Sequence, residues 1–326
     1  MADLYPLKFK TIYKDKIWGG QKIRTVLNKD IGALPNCGET WEISGVKGNI
    51  SVVSEGSLQG QDMEQILNEN KANLVGDKVY SRYGNEFPLL VKFIDANDDL
   101  SVQVHPNDAL AKTRHGSFGK TEMWYIFQAD EDATLNSGFN RPLTKEQYLE
   151  YFNHGKLMDI LNIEKVQADD VYFLPAGRVH YIGKGCLLAE IQQSSDVTYR
   201  IYDFDRKDDK GQTRELHTDQ SIDAIDFTYH KVSKTQYTDK VNEVVPLVNC
   251  PYFTTNKLHF NEAIRRDFSS LDSFVIYVCM SGELTLDYGT GSTSLKTGEA
   301  VLVPATIKKI TLKPRGWFKM LESYIA

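Results

Sequence analysis

Apolar residues recur along this chain in two rhythms. Short runs rich in β-branched and aromatic residues occupy 88–96, 100–105, 122–129, 170–176, 186–192 and 197–204. A second group occupies 273–280, 282–288, 298–305 and 308–314. Their length and composition predict strands. Helical spacing occurs in four places. Residues 57–76 put Met63, Ile66 and Leu67 on one face, and 106–114 follow Pro106. Residues 143–162 open on Thr144 with Gln147 three positions on, a capping-box pattern. Residues 217–226 suggest a further short helix. The segment 226–249 has no strong periodicity and reads as a passage between two β units. A mainly β protein with a small helical insertion is expected.

The strands also repeat. EMWYIFQADEDATL (122–135) aligns without a gap to SFVIYVCMSGELTL (273–286). Strand, proline and loop then recur in 169–182 and 297–310. This predicts two related β-barrels in tandem. The first copy carries PxGxxH as Pro175, Gly177 and His180; the second has Pro304, Thr306 and Lys309 there. A site built on this motif is therefore expected in the first copy only. The expected division is 1–235 for a functional barrel with its helices, and 236–326 for a degenerate one.

The 326 residues are 41% hydrophobic and 25% charged, an ordinary globular balance. A formal charge of −6 argues against nucleic-acid and anionic-membrane binding. A small phosphorylated ligand, which needs only a local basic pocket, stays open. No run approaches a membrane helix, and the N-terminus lacks a secretory core, so a cytoplasmic location is expected. The four cysteines are scattered without a CxxC pair, as expected for free thiols.

The candidate chemistry begins at LSVQVHP. Side chains alternate along a strand, so Ser101, Gln103 and His105 share one face while Val102 and Val104 take the other. With Glu122 and His180 they supply two imidazoles, a carboxylate and an amide. That set suits a divalent ion such as Zn²⁺, Mn²⁺ or Fe²⁺. Each residue alone has an ordinary structural explanation; the metal reading rests on the four together. His115, His154, His230 and His259 lack partners at metal spacing and are expected to be structural.

LSVQVHP, KTEMWYI, LPAGRVHYIG and TYRIYDFDR together resemble the type I mannose-6-phosphate isomerases of the cupin family, in their short bacterial form. KIWGG, ETWEIS and FPLLVKFIDA fit the same pattern. The likeness covers most of 5–220. The C-terminal third matches only as a degenerate second cupin. The resemblance implies tandem cupin (jelly-roll) barrels and one divalent metal, with zinc the expected ion. It places the metal on Gln103, His105, Glu122 and His180. It implies catalytic roles for Arg200 and Glu190, and places Ser101, Lys120 and Tyr181 against the substrate. Trp18, Trp41 and Glu42 match an N-terminal signature of the family.

The implied reaction interconverts mannose 6-phosphate and fructose 6-phosphate by moving a proton between C1 and C2. An enediolate forms on the way, and its charge needs an electrophile. Glu190, a water or Tyr181 could carry the proton; Arg200 could pair with the enediolate or the phosphate, or simply with Asp203 or Asp205. Arg206 and Arg214 lie in a charged loop that could reach over the pocket. The competing readings are an iron-dependent cupin oxygenase and a non-catalytic sugar-phosphate binder. Monomer and homodimer are both compatible with the sequence.

Overall fold

The computed structural model describes residues 3–208 and 210–326. Among these residues the strands form four sheets. The first sheet runs in the order Ile12–Gly20, Cys37–Ile43, Leu89–Asp95, Cys186–Gln193, Glu122–Ala129, Val171–Leu174. The second runs Tyr199–Tyr202, Val102–Val104, His180–Ile182, Thr134–Phe139, Leu161–Lys165. The third is Val244–Asn249, Thr254–Phe260, Phe318–Tyr324, Val275–Ser281, Ala300–Val303. The fourth is Ile264–Asp267, Lys309–Pro314, Glu283–Asp287, Ser292–Lys296. The mainly β, tandem-barrel expectation is met.

Strand alternation explains how the layers stack. In Glu122–Ala129, Trp124 and Ile126 point into the first barrel and pack with Leu135, Ile182 and Leu188. Met123 and Tyr125 point the other way, into a core shared with Phe274, Ile276, Val278, Leu302 and Leu321. The third sheet mirrors this: Val275, Tyr277 and Cys279 face the second barrel's interior, with Leu284, Leu295 and Leu312. The two large sheets therefore pack back to back. Both of their faces are buried, which is why their strands read as unbroken apolar runs. The outer face of the second sheet, with Val102 and Val104, is covered by Tyr148, Leu157 and Ile160 from the helical segments.

The repeat is visible in the pairing. The order Leu89–Asp95, Cys186–Gln193, Glu122–Ala129, Val171–Leu174 recurs as Thr254–Phe260, Phe318–Tyr324, Val275–Ser281, Ala300–Val303. The registers refine the gapless alignment. Glu122 opposes Leu174 and Val275 opposes Val303, each one residue before the proline, so Val275, not Ser273, holds the Glu122 position. Gln103 opposes His180 as Arg266 opposes Ile310, so Ile310 rather than Lys309 holds the His180 position. Lys309 alternates outward and its side chain is 75% exposed. The Glu190–Trp124 pair has its counterpart in Glu322–Tyr277.

The helices follow the expected segments with shorter bounds. Those in the expected segments are Met63–Asn70, Asp108–His115, Lys145–Asn153 and Thr218–Ala224, with Ala72–Val75 closing the first region, whereas Lys22–Thr25 and Asp77–Tyr83 form helices that were not expected. Thr144 and Gln147 form the expected reciprocal cap. Residues 143–162 do not stay helical: a 3₁₀ turn at Leu157–Ile160 gives way to the strand Leu161–Lys165. Edge pairing with Thr134–Phe139 decides this. The weakly patterned passage likewise ends in a strand, Val244–Asn249. The cysteines are free thiols, three of them buried.

Phe274 and Phe87 meet at 5.0 Å between ring centroids in the shared core. Truncating Phe274→Ala should cost about 3–5 kcal/mol by lost burial and a cavity. Urea unfolding should show this. Adding Phe87→Ala should cost less than the sum of the single effects, because both empty one contact.

Candidate metal centre

Period-two alternation gathers the polar site on the inner faces of the first barrel. Ser101, Gln103 and His105 come from or flank Val102–Val104. His180 starts the neighbouring strand, and Glu122 starts a strand of the opposite sheet. The PAGRVH loop sets the position of His180. Gly177 sits at φ +92°, where an added Cβ would come within 3.0 Å of the Ala224 carbonyl. Its amide donates to the His105 carbonyl at 2.9 Å, tying the loop to the other histidine.

His105, Glu122 and His180 form one cluster, with donor atoms all within 4.8 Å of one another. His180 Nε2 lies 3.2 Å from Glu122 Oε1, and His105 Nε2 lies 3.6 Å from Oε2. Each ring is oriented from behind. His105 Nδ1 donates to the Val197 carbonyl at 2.9 Å and His180 Nδ1 to the Arg178 carbonyl at 2.8 Å. This tautomer leaves both Nε2 lone pairs aimed at the cluster, the usual arrangement of ligating imidazoles. Burial holds both rings neutral: His105 titrates well below its usual range and His180 is pushed down to about 3, with Lys120 adding to both effects. Gln103 Nε2 contacts His180 Nε2 at 3.2 Å. Turned over, the same amide presents its oxygen.

The carboxylate carries the strongest indication. Both oxygens of Glu122 are buried and accept no well-oriented hydrogen bond. Lys120 Nζ approaches as an ion pair, 3.0 Å from Glu122 Oε2 and 3.1 Å from His105 Nε2. Burial raises the Glu122 pKa, and the nearby Glu190 charge adds to the rise against the pull of Lys120. A buried carboxylate left this way is what a divalent cation satisfies. Two neutral imidazoles, a carboxylate and an amide thus fit a borderline-hard metal ion.

Glu190 stands beside this cluster. Lys92 Nζ donates to its Oε1 at 2.9 Å and Trp124 Nε1 to its Oε2 at 2.8 Å. Burial disfavours its charge, but Lys92, Lys120 and these hydrogen bonds outweigh burial and hold its pKa below the ordinary range. Glu190 is a permanent carboxylate at neutral pH.

A cavity of about 300 Å³ opens in front of these groups. Ser101, Gln103, Lys120, Glu190 and Arg200 line it, with Trp18 and Trp41 of the N-terminal motifs. Tyr181 does not join them. It follows His180 by one position on the strand, so it faces the outer core, packed near Phe204 at 5.7 Å. Glu42 also faces away, accepting from Lys29 at 2.9 Å and Thr11 at 3.0 Å. Lys120 lies directly against Glu122 and His105. Arg200 makes neither of the ion pairs considered for it; Asp203 instead takes Arg206 and Arg214. Burial, Arg214 and Arg206 lower the Arg200 pKa.

The sequence reading passed over Lys92, Lys16 and Glu39, which line the cavity. Lys92 was findable: it is the sole cation inside the apolar run PLLVKFIDA. Elsewhere His115 bonds Tyr199 Oη at 2.8 Å and His154 the Glu150 carbonyl at 2.7 Å, structural contacts as expected.

A barrel with two imidazoles and a carboxylate converging beside a polar cavity defines a metal-centred cupin. Comparison with known proteins narrows the class. Residues 6–132 match the profile of the phosphomannose isomerase type I catalytic domain, and 243–324 that of the mannose-6-phosphate isomerase cupin domain. A mannose-6-phosphate isomerase of Streptococcus mutans is 36% identical over 93% of both chains. One from Bacillus subtilis is 34% identical over 98% of this chain and 99% of that one. The crystal structure of the mannose 6-phosphate isomerase from Bacillus subtilis superposes with a TM-score of 0.86 at 30% identity, covering 98% and 99% of the two chains. The chain belongs to the type I mannose-6-phosphate isomerase family.

If the cluster is the metal centre, purified protein should contain one divalent ion per chain. Glu122→Gln and His105→Ala should each reduce that content by at least about tenfold, within the range for weakened metal sites. Elemental analysis after gel filtration measures this.

Proposed function

We propose that this protein is a metal-dependent aldose–ketose isomerase interconverting mannose 6-phosphate and fructose 6-phosphate. The observation that carries the reading is the buried His105–Glu122–His180 cluster, whose carboxylate accepts no well-oriented hydrogen bond and whose cavity is lined by both cations and carboxylates. Gln103, His105, Glu122 and His180 would hold the ion, and zinc suits this mixed nitrogen and oxygen set. Once bound, it supplies Lewis acidity that polarises the sugar carbonyl.

The chain's own residues do the rest. Lys120, 4% exposed, places its Nζ between the metal cluster and the cavity. Charge developing on the carbonyl oxygen as the C2 or C1 proton leaves is stabilised there. Arg200 comes from the strand beside Gln103, and its fork can pair with an anionic group of the sugar phosphate. Trp18 and Trp41 narrow the cavity and limit water at the reacting carbons. Glu190 is the ionised base on the cavity wall that faces this chemistry. The catalytic unit assigned to residues 1–235 contains every one of these groups. Residues 236–326 form the second barrel, where Arg266, Val275 and Ile310 leave no comparable donor set.

A coupled assay tests the reading directly. Mannose 6-phosphate turnover should disappear after chelation and return with added zinc or manganese. A metal-loaded protein without turnover would leave only a binding role. Glu190→Gln separates two functions of that residue. If Glu190 moves the proton, kcat should fall by about 10²–10⁴-fold with metal content unchanged. A kcat near that of the parent protein would restrict Glu190 to anchoring Lys92.

A further inference from the structure

Charge is distributed unevenly around the cavity. Every lysine on its wall has its own carboxylate: Lys16 pairs with Glu39 at 3.3 Å, Lys92 with Glu190 at 2.9 Å and Lys120 with Glu122 at 3.0 Å. The arginine wall is different. Arg214 pairs with the buried carboxylate of Asp203, which also takes Arg206, itself paired with Asp98 at 3.4 Å. Among the described residues the Arg200 guanidinium donates only to the Glu215 carbonyl at 2.8 Å, and its Nε is buried without a hydrogen-bond partner. Asp196 is exposed at the rim. This wall therefore holds a guanidinium, that of Arg200, with no ion-pair partner among the described residues and with an unused donor.

The loop that carries Arg214 is held in place. His217 N donates to the Arg200 carbonyl at 2.7 Å, and Arg200 N donates to His217 Nδ1 at 3.1 Å. The segment therefore runs beside the strand Tyr199–Tyr202 and places Arg214 on the same cavity as Arg200. Arg214 Nε also bonds Asp203 Oδ2 at 2.7 Å, which fixes the plane of its fork. Two oriented guanidinium groups facing one cavity match a phosphate, whose oxygens accept paired N–H donors.

We propose that Arg214, braced by Asp203, forms with Arg200 the subsite for the substrate's phosphate group, and that this pair of arginines thereby sets the preference for a phosphorylated over a free hexose. This rests on the sugar-phosphate isomerase reading above and adds a specificity-determining residue to it. Lys120 is committed to Glu122, so the phosphate anchor lies on the arginine wall.

The test uses the metal-loaded full chain, as the parent protein, Arg214→Met and Arg214→Lys. Inorganic phosphate should inhibit the parent competitively. Arg214→Met should raise KM for mannose 6-phosphate and weaken phosphate inhibition, each by at least about tenfold, the loss of one charge-assisted contact. The ratio of kcat/KM for mannose 6-phosphate over mannose should fall with it. Arg214→Lys, which keeps the charge and loses the fork, should fall between the two. Unchanged KM and unchanged phosphate inhibition in folded Arg214→Met overturn the proposal; if that variant does not fold, the same result in Arg214→Lys does so. Calorimetric titration with inorganic phosphate keeps the two readings distinguishable. A parent protein without turnover that loses phosphate binding on Arg214 substitution refutes the isomerase reading alone. Turnover with phosphate binding indifferent to Arg214 refutes the subsite alone.

Discussion

Two carboxylates buried in one barrel set the conditions for everything around them. Glu122 is fully buried and Glu190 is 2% exposed. Charges taken from water at that depth are tolerated only when paired and hydrogen-bonded. The fold provides the compensation through strand register. Lys92 and Trp124 are the cross-strand neighbours of Glu190, one on either side, and both bond its oxygens. Glu122 begins the strand that carries Trp124, and Lys120 lies two residues before it. What stays unmet is the hydrogen-bonding capacity of Glu122 and the lone pairs of two neutral imidazoles. A divalent ion answers both demands at once.

The second barrel shows the same constraint with a different solution. Glu322 holds the register of Glu190 and is fully buried. Arg266 bonds it at 2.8 and 2.6 Å, Tyr277 at 2.8 Å and Asn256 at 3.2 Å. The pairing of strands puts Asn256 where Lys92 stands and Tyr277 where Trp124 stands. A carboxylate on the central strand is thus common to both barrels. In the second barrel Arg266 takes the position of Gln103, and its guanidinium completes the charge balance without a metal. The apolar Val275 and Ile310 then fill the Glu122 and His180 positions.

The second barrel also supports the first mechanically. The strands that carry Lys92, Glu122 and Glu190 inward present Phe93, Met123 and Ile191 outward, to the core shared with the third sheet. A polar clamp reinforces the contact. Asp169, beside the first sheet, accepts from Lys319 at 2.8 and 2.6 Å and from Tyr125 at 2.5 Å. Its φ of +74° marks a tight turn held by those bonds. Rigid backing of this kind limits the drift of ligating side chains, on which metal and transition-state geometry depend.

The proposed metal donors were legible in the sequence because their geometry follows from local rules. Alternation in LSVQVHP puts Ser101, Gln103 and His105 on one face, and the glycine of PAGRVH permits the turn before His180. Tandem barrels were legible because each copy repeats an apolar strand and a proline at similar spacing. Tyr181 was misplaced because adjacency in sequence means opposite faces on a strand. Lys309 was matched to His180 because a one-residue shift in the repeat, invisible without register, reverses inside and outside. Lys92 against Glu190, Arg214 against Asp203, and the back-to-back sheets were decided by tertiary structure alone. Those pairings join residues far apart in the chain, and only the closed barrels bring them within reach of one another.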